Sequence, residues 1–360
     1  MACSDVSPRG AGESSIMRRR RRPVFPFFMV ALVLVLGFGM AKPACSSLTY
    51  GYYEDTCPNL ETIIRTGVEE AYATDTRIVA SITRLEFHDC FVDGCDASLL
   101  LKSTATFTGE QSAIPNNNSA RGFNVIDDIK ASVEAACPAT VSCADLLTIA
   151  ARDSVVLAGG PFWNVLLGRY DSFSANESDA TNDIPPAFFN YSSLANNFAN
   201  HGLSQTDLVA LSGAHTFGKA RCVSINIPGN SRLYNWSEQS NLNSGTGKPD
   251  PHMEPGFLAS IQANCPQGGN GSVLNNLDLT TPIVFDNGYY NNILVGKGLM
   301  NSDQALYYQN EFGQELVTKY AGDQQAFFKD FVTSMINMAN IAPKDASNGE
   351  IRINCGFPNA

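Results

Sequence analysis

A chain of 360 residues with 44% hydrophobic and 16% charged residues is too apolar for disorder, and long enough for one large core or two modest ones. Its formal net charge of -11 argues against a nucleic-acid binder, because phosphate contacts require a basic face.

The first element is a leader. Five consecutive arginines, Arg18 to Arg22, precede an apolar run from Val24 to Ala41 and then small residues. This is the order of a secretory signal, expected over residues 1–44 with cleavage near Ala44 or Cys45 and with Met17 as an alternative start. The competing reading is a membrane anchor, against which stand the short run and its interruptions at Pro26, Gly37 and Gly39. Residues 45–360 are then one exported domain with no further span. Of the ten cysteines, the leader takes Cys3 and, depending on the cut, Cys45. The eight that remain read as disulfides in an oxidising compartment, with their pairing open at this point. Five N-x-S/T acceptors, at Asn117, Asn176, Asn190, Asn235 and Asn270, suit a secreted glycoprotein.

After the leader the pattern is mostly helical. "NLETIIRTGVEEAYATDTRIVASITRLEFHDC" repeats apolar residues every three or four positions. At its end Arg84 and His88 stand four apart, on one helix face, with Phe87 as an apolar neighbour. A guanidinium beside an imidazole disfavours protonation of the ring and keeps it able to accept a proton. The following "DCFVDGCDAS" alternates oxygen donors, Asp89, Asp93, Asp96 and Ser98, around Gly94. That order resembles a loop for a hard cation, without EF-hand spacing.

"RGFNVIDDIKASVEAAC" is a further amphipathic helix. "TVSCADLLTIAARDSVVLAGG" begins with Ser142 as cap and Asp145 three later, and ends at two glycines. "SQTDLVALSGAHT" repeats the device with Ser204 and Asp207, and its helix is expected to run to His215. A last helix is expected from about Asp323 to Ile341. Polar loops over 172–186 and 226–256 separate these elements, and no internal repeat is evident. The fold class is all-α, in one or two lobes.

Of the four histidines, His201 and His252 are expected at the surface. No HExxH or comparable zinc set is present. One axial and one free histidine, His215 and His88, is a haem arrangement. "LDLTTPIVFDNGYY" adds Asp278, Thr281 and Asp286 as a second oxygen cluster, and Asp303 lies in apolar surroundings in "LMNSDQAL".

Taken together, "RLEFHDCFVDGCDAS", "NNNSARGFNVIDDIK", "CPATVSCADLLTIAARDSV", "GGPFWNVLLGR", "LVALSGAHTFGKARC" and "VFDNGYYNN" resemble, in order, the motifs of the secretory plant peroxidases, the class III haem peroxidase family. The likeness runs from about Leu48 to Asn359. It implies an all-α fold with distal and proximal lobes around one haem b. It implies reduction of hydrogen peroxide to water through a ferryl haem, with phenolic donors oxidised by one-electron steps. In that likeness Arg84, His88 and Asn116 are catalytic, and Phe87 lies against the haem. His215 is the axial iron ligand and Asp303 its hydrogen-bonded partner.

Two calcium ions are implied. One is held by Asp89, Val92, Gly94, Asp96 and Ser98, with Glu110 reaching it through water. The other is held by Thr216, Asp278, Thr281, Val284 and Asp286. Pro185 contacts a phenolic donor. The implied bridges are Cys57–Cys137, Cys90–Cys95, Cys143–Cys355 and Cys222–Cys265. The implied protein is a monomer in the extracellular space or cell wall, without nucleic-acid or membrane partners after signal removal.

Departures are Glu86, where an aromatic residue or histidine is usual, Tyr170, where an arginine is common, and Val223 and Ser224 near the donor side. The segment 224–251 is longer than usual. Because of these, a non-catalytic haem- and calcium-binding wall protein is the rival reading. A secreted metal hydrolase is weaker, for want of zinc ligands.

Overall fold

The computed structural model describes residues 48–345 and 348–359. The leader expected over residues 1–44 and Cys45 lie outside them. Among the described residues the architecture is helical: α1 (Leu60–Thr74), α2 (Ile78–Cys90), α3 (Phe123–Ala136), α4 (Cys143–Leu157), α5 (Glu177–Asp183), α6 (Tyr191–Asn200), α7 (Gln205–Ser212), α8 (Cys222–Ile225), α9 (Pro255–Asn264), α10 (Gly288–Leu294), α11 (Asn301–Tyr308), α12 (Glu311–Gly322) and α13 (Gln324–Ala339). Two short antiparallel pairs complete it. β1 (Lys219–Arg221) joins β4 (Leu274–Asn276), and β2 (Asn226–Ile227) joins β3 (Asn230–Ser231).

The long helical pattern before His88 is two helices, not one. α1 stops at Asp75, whose extended backbone ends the ladder, and α2 starts at Ile78. α2 then packs along α4, and α1 crosses α3 and α4. A second group forms where α7 meets α13 and where α10 and α11 meet α12. One apolar core serves both groups, from Ile64, Ile82 and Leu147 to Leu208, Phe327 and Phe331. A smaller core of Leu233, Phe257, Ile261 and Leu299 gathers around Cys222 and Cys265.

Four disulfides link Cys57–Cys137, Cys90–Cys95, Cys143–Cys355 and Cys222–Cys265, the pairs the resemblance implies. Among the described residues no helix is long and apolar enough to cross a membrane.

Candidate active site

Helix α2 presents Arg84 and His88 one turn apart. Arg84 Nε donates to His88 Nε2 at 3.0 Å, and the other ring nitrogen, Nδ1, lies 2.5 Å from Asn116 Oδ1. This pattern fits the neutral tautomer with its proton on Nδ1 and a lone pair on Nε2. Burial, and then the Arg84 charge, push the His88 pKa well below 6.5. Arg84 is fixed in turn by Ser119 Oγ and the Pro115 carbonyl, both at 2.8 Å. Its own pKa is pushed down to about 10 by burial and by the like charge of Arg221, so it remains a cation at neutral pH. The Phe87 ring sets its edge against His88 at 5.2 Å. Ser119 and the Pro115 carbonyl are partners of Arg84 that the sequence reading missed. Ser119 lies inside the quoted "NNNSARGF", but nothing local marks it as a partner for Arg84.

His215 does not end α7 as expected. The α-helix stops at Ser212, and His215 sits in a 3₁₀ turn over Gly213–Thr216. Gly213, where the α-helix gives way, is tightly packed: an added Cβ would collide with the Phe327 ring and the Tyr290 hydroxyl. His215 Nδ1 lies 2.7 Å from Asp303 Oδ1. Asp303 is buried and also accepts from Tyr289 Oη at 3.1 Å and from the Met300 N–H at 2.7 Å. Burial opposes its charge, yet the His215 charge and the bonds from His215 and the Met300 amide leave the carboxyl below its ordinary range. His215 Nε2 has no hydrogen-bond partner among the described residues, and the side chain is 36% exposed. Tyr289 and the Met300 amide are further partners the sequence did not disclose.

The two histidine-bearing segments approach closely. Gly218, three residues after His215, has φ +93°, and a Cβ there would stand 2.9 Å from that of Ala80, one turn before Arg84.

Oxygen donors gather in two places. Asp89 accepts from the Ala97 and Leu99 amides, and Asp96 Oδ1 from that of Ser98. Burial and then the neighbouring Asp96 push Asp89 well above its usual range, and burial raises Asp96 to about 7 and Glu110 to about 8. Ser98 Oγ and Glu110 Oε2 are buried without a hydrogen-bond partner among the described residues. Buried carboxylates that repel one another, with orphaned oxygens between them, are the donor chemistry of a hard cation. Val92 and Gly94 lie in the same loop, where Gly94 has φ +95° and no room for a side chain against Ala342 and Pro343. In the second cluster Thr216 Oγ1 reaches Asp286 at 3.0 Å and Asp278 at 3.3 Å, and Thr281 Oγ1 reaches Asp278 at 3.4 Å. The Val284 amide closes a turn onto the Thr281 carbonyl.

The model of the peroxidase family matches residues 64–323. The chain belongs to the peroxidase family. It is 48% identical over 333 residues to Peroxidase 15 of Ipomoea batatas, covering 92% of this chain and 98% of the relative. It is 50% identical over 334 residues to Peroxidase 49 of Arabidopsis thaliana, covering 91% and 98%. Peroxidase 4 of Vitis vinifera is 46% identical over 338 residues, covering 93% and 98%. This peroxidase is therefore an oxidoreductase acting on peroxide, and its family implies haem. The residues present fit that group. A histidine with one nitrogen tied to a buried carboxylate and the other unpartnered has the donor set of an axial ligand.

Glu86 does not reach the His88 side. It is buried on the opposite face of α2, accepts from Thr148 Oγ1 at 2.8 Å, and has its pKa raised to about 7 by burial. His201 and His252 are half-buried rather than simply at the surface. His201 stacks on Phe91 at 4.3 Å with its ring nitrogens on the carbonyls of Asn197 and Phe91, and His252 stacks on Tyr308 at 4.6 Å and reaches Asp250. Pro185 is half-buried just after α5, and Val223 is exposed on α8.

Proposed function

We propose that this peroxidase reduces hydrogen peroxide with Arg84, His88 and Asn116 as its distal machinery, and that His215, backed by Asp303, is the ligand to haem b iron. The observation that carries the reading is the double restraint on His88: one ring nitrogen on Asn116, the other facing a guanidinium that keeps it neutral. His88 Nε2 takes a proton from one peroxide oxygen and returns it to the other, which leaves as water. Arg84 stabilises the negative charge that grows as the O–O bond lengthens. Asn116 holds the ring in one orientation. Asp303 holds the Nδ1 proton of His215, which makes Nε2 a stronger donor. Haem, when bound, supplies the redox chemistry.

Electrons come from phenols, one at a time, with the Pro185 carbonyl as a donor contact. Calcium ions bind at the two oxygen clusters: Asp89, Val92, Gly94, Asp96 and Ser98 with Glu110, and Thr216, Asp278, Thr281, Val284 and Asp286. The protein is a secreted monomeric glycoprotein of the extracellular space or wall. The leader and the N-x-S/T acceptors support this.

Two variants test the site. His88→Ala is expected to retain haem, seen in its Soret absorbance, and to slow peroxide reduction by roughly 10²–10⁴-fold in rapid mixing, the usual worth of a positioned proton carrier. His215→Ala is expected to lose haem. An unchanged peroxide rate in His88→Ala, or full haem retention in His215→Ala, contradicts the assignment.

A further inference from the structure

We propose that Tyr320 is a redox-active tyrosine, which in the absence of donors gives one electron through Tyr290, Tyr289 and His215 and its proton to Asp330. The inference rests on His215 being the iron ligand.

The route is a file of rings leading away from His215. Ring centroids are 5.9 Å apart from His215 to Tyr289, 5.1 Å from Tyr289 to Tyr290, and 5.1 Å from Tyr290 to Tyr320. All three tyrosines are buried, with Phe285, Phe327 and Phe331 packed nearby. Those phenylalanines lack a hydroxyl and are much harder to oxidise than a phenol.

The hydroxyls decide where the oxidation comes to rest. A phenol loses an electron readily only if its proton has somewhere to go, since its ordinary pKa is about 10. Tyr290 Oη donates to the Val209 carbonyl at 2.9 Å, which is no base. Tyr289 Oη shares Asp303 Oδ1 with His215 Nδ1, so that carboxylate is already committed. Tyr320 Oη donates to Asp330 Oδ2 at 2.8 Å, and the Asp330 side chain is 23% exposed, open to water. Lys319 Nζ holds the same oxygen at 3.0 Å and fixes its position. Tyr320 alone in the file has a carboxylate with an outlet to solvent.

The step balances. The Tyr320 O–H bond breaks, the proton passes to Asp330 Oδ2, and the electron removes one of the two oxidising equivalents that hydrogen peroxide delivers. The neutral phenoxyl left behind lies three rings from His215. Unspent oxidising power is thereby drawn away from Arg84, His88 and Asn116.

The test uses haem-loaded protein mixed with hydrogen peroxide without donor, frozen rapidly and read by electron paramagnetic resonance. A tyrosyl signal is expected in the native chain. It is expected to be largely lost in Tyr320→Phe, and equally in Asp330→Asn, which keeps the ring but removes the base and its ion pair with Lys319. Both variants should keep the native Soret band and the native steady-state rate with a small phenol, yet survive fewer equivalents of peroxide. A tyrosyl signal of native size in Tyr320→Phe, with spectrum and rate intact, overturns this inference alone. Haem retention in His215→Ala overturns the reading beneath it.

Discussion

His88 and Glu86 sit two residues apart on one helix and are buried for different reasons. Both feel desolvation, but His88 has a cation beside it that strengthens the neutral state. In Arg84→Gln that cation is gone, so the His88 pKa rises toward its ordinary value. The acid limb of the peroxide-reduction profile should then move to higher pH in stopped-flow mixing; an unmoved limb would count against the assignment. Glu86 works on stability instead. Its folded pKa of about 7 stands above its ordinary 4.5. Between those values the folded chain holds a proton that the unfolded chain has released, so stability is full below the window and falls as pH rises through it. Glu86→Gln is expected to stabilise the chain above the window by up to about 3 kcal/mol and hardly at all below it, as read by denaturant unfolding at the two pH values. The sequence exposed the i, i+4 relation of Arg84 and His88 because both partners lie within one turn. It concealed Thr148, which lies 62 positions from Glu86 and meets it only because α2 packs along α4.

At the scale of elements, the helix starts were the most legible feature, because a cap is a local bond. Ser204 Oγ accepts from the Asp207 N–H, and Asp207 accepts from that of Ser204, a complete capping box. Ser142 accepts from the Asp145 N–H, but the Asp145 carboxylate turns instead to Arg169 and Tyr53. Ser204→Ala should cost about 1 kcal/mol in unfolding free energy. It should also loosen α7, which leads into the turn carrying His215, detectable as faster amide exchange over α7. No change in either measurement would show that packing against α13 alone holds the helix. The end of α7 was not legible. Apolar periodicity continues past Ser212, and the switch falls at Gly213, which packs against Phe327 and Tyr290, more than seventy positions away. The break between α1 and α2 was hidden in the same way, since the pattern of apolar residues hardly falters there.

Across the whole molecule, the bridges and the oxygen clusters tie distant segments together. Cys143–Cys355 closes a separation of 212 residues. In the chain-entropy model its removal costs about 5 kcal/mol, so Cys143→Ala with Cys355→Ala should unfold at a markedly lower temperature. Calcium at the first cluster would relieve the repulsion among Asp89, Asp96 and Glu110, and at the second it would bind Asp278 and Asp286. Chelation is therefore expected to lower the melting temperature and slow peroxide reduction together. Full activity after verified removal of the metal would contradict the proposed sites. The family and the all-α class were readable because several long motifs occur in order. The surroundings of His201 and His252 were not, since their stacking partners Phe91 and Tyr308 come from other parts of the chain.

Glu110 touches both proposed sites: its carbonyl receives the Asn116 amide at 2.9 Å, while its carboxylate is buried with an orphaned oxygen beside Asp96 and Ser98. Anything bound to the carboxylates and anything bound over the imidazole therefore pull on one residue, and thermodynamic reciprocity requires each to alter the other's affinity by the same factor. Cyanide dissociation constants measured with and without calcium, and calcium constants measured with and without cyanide, should give two equal ratios different from one.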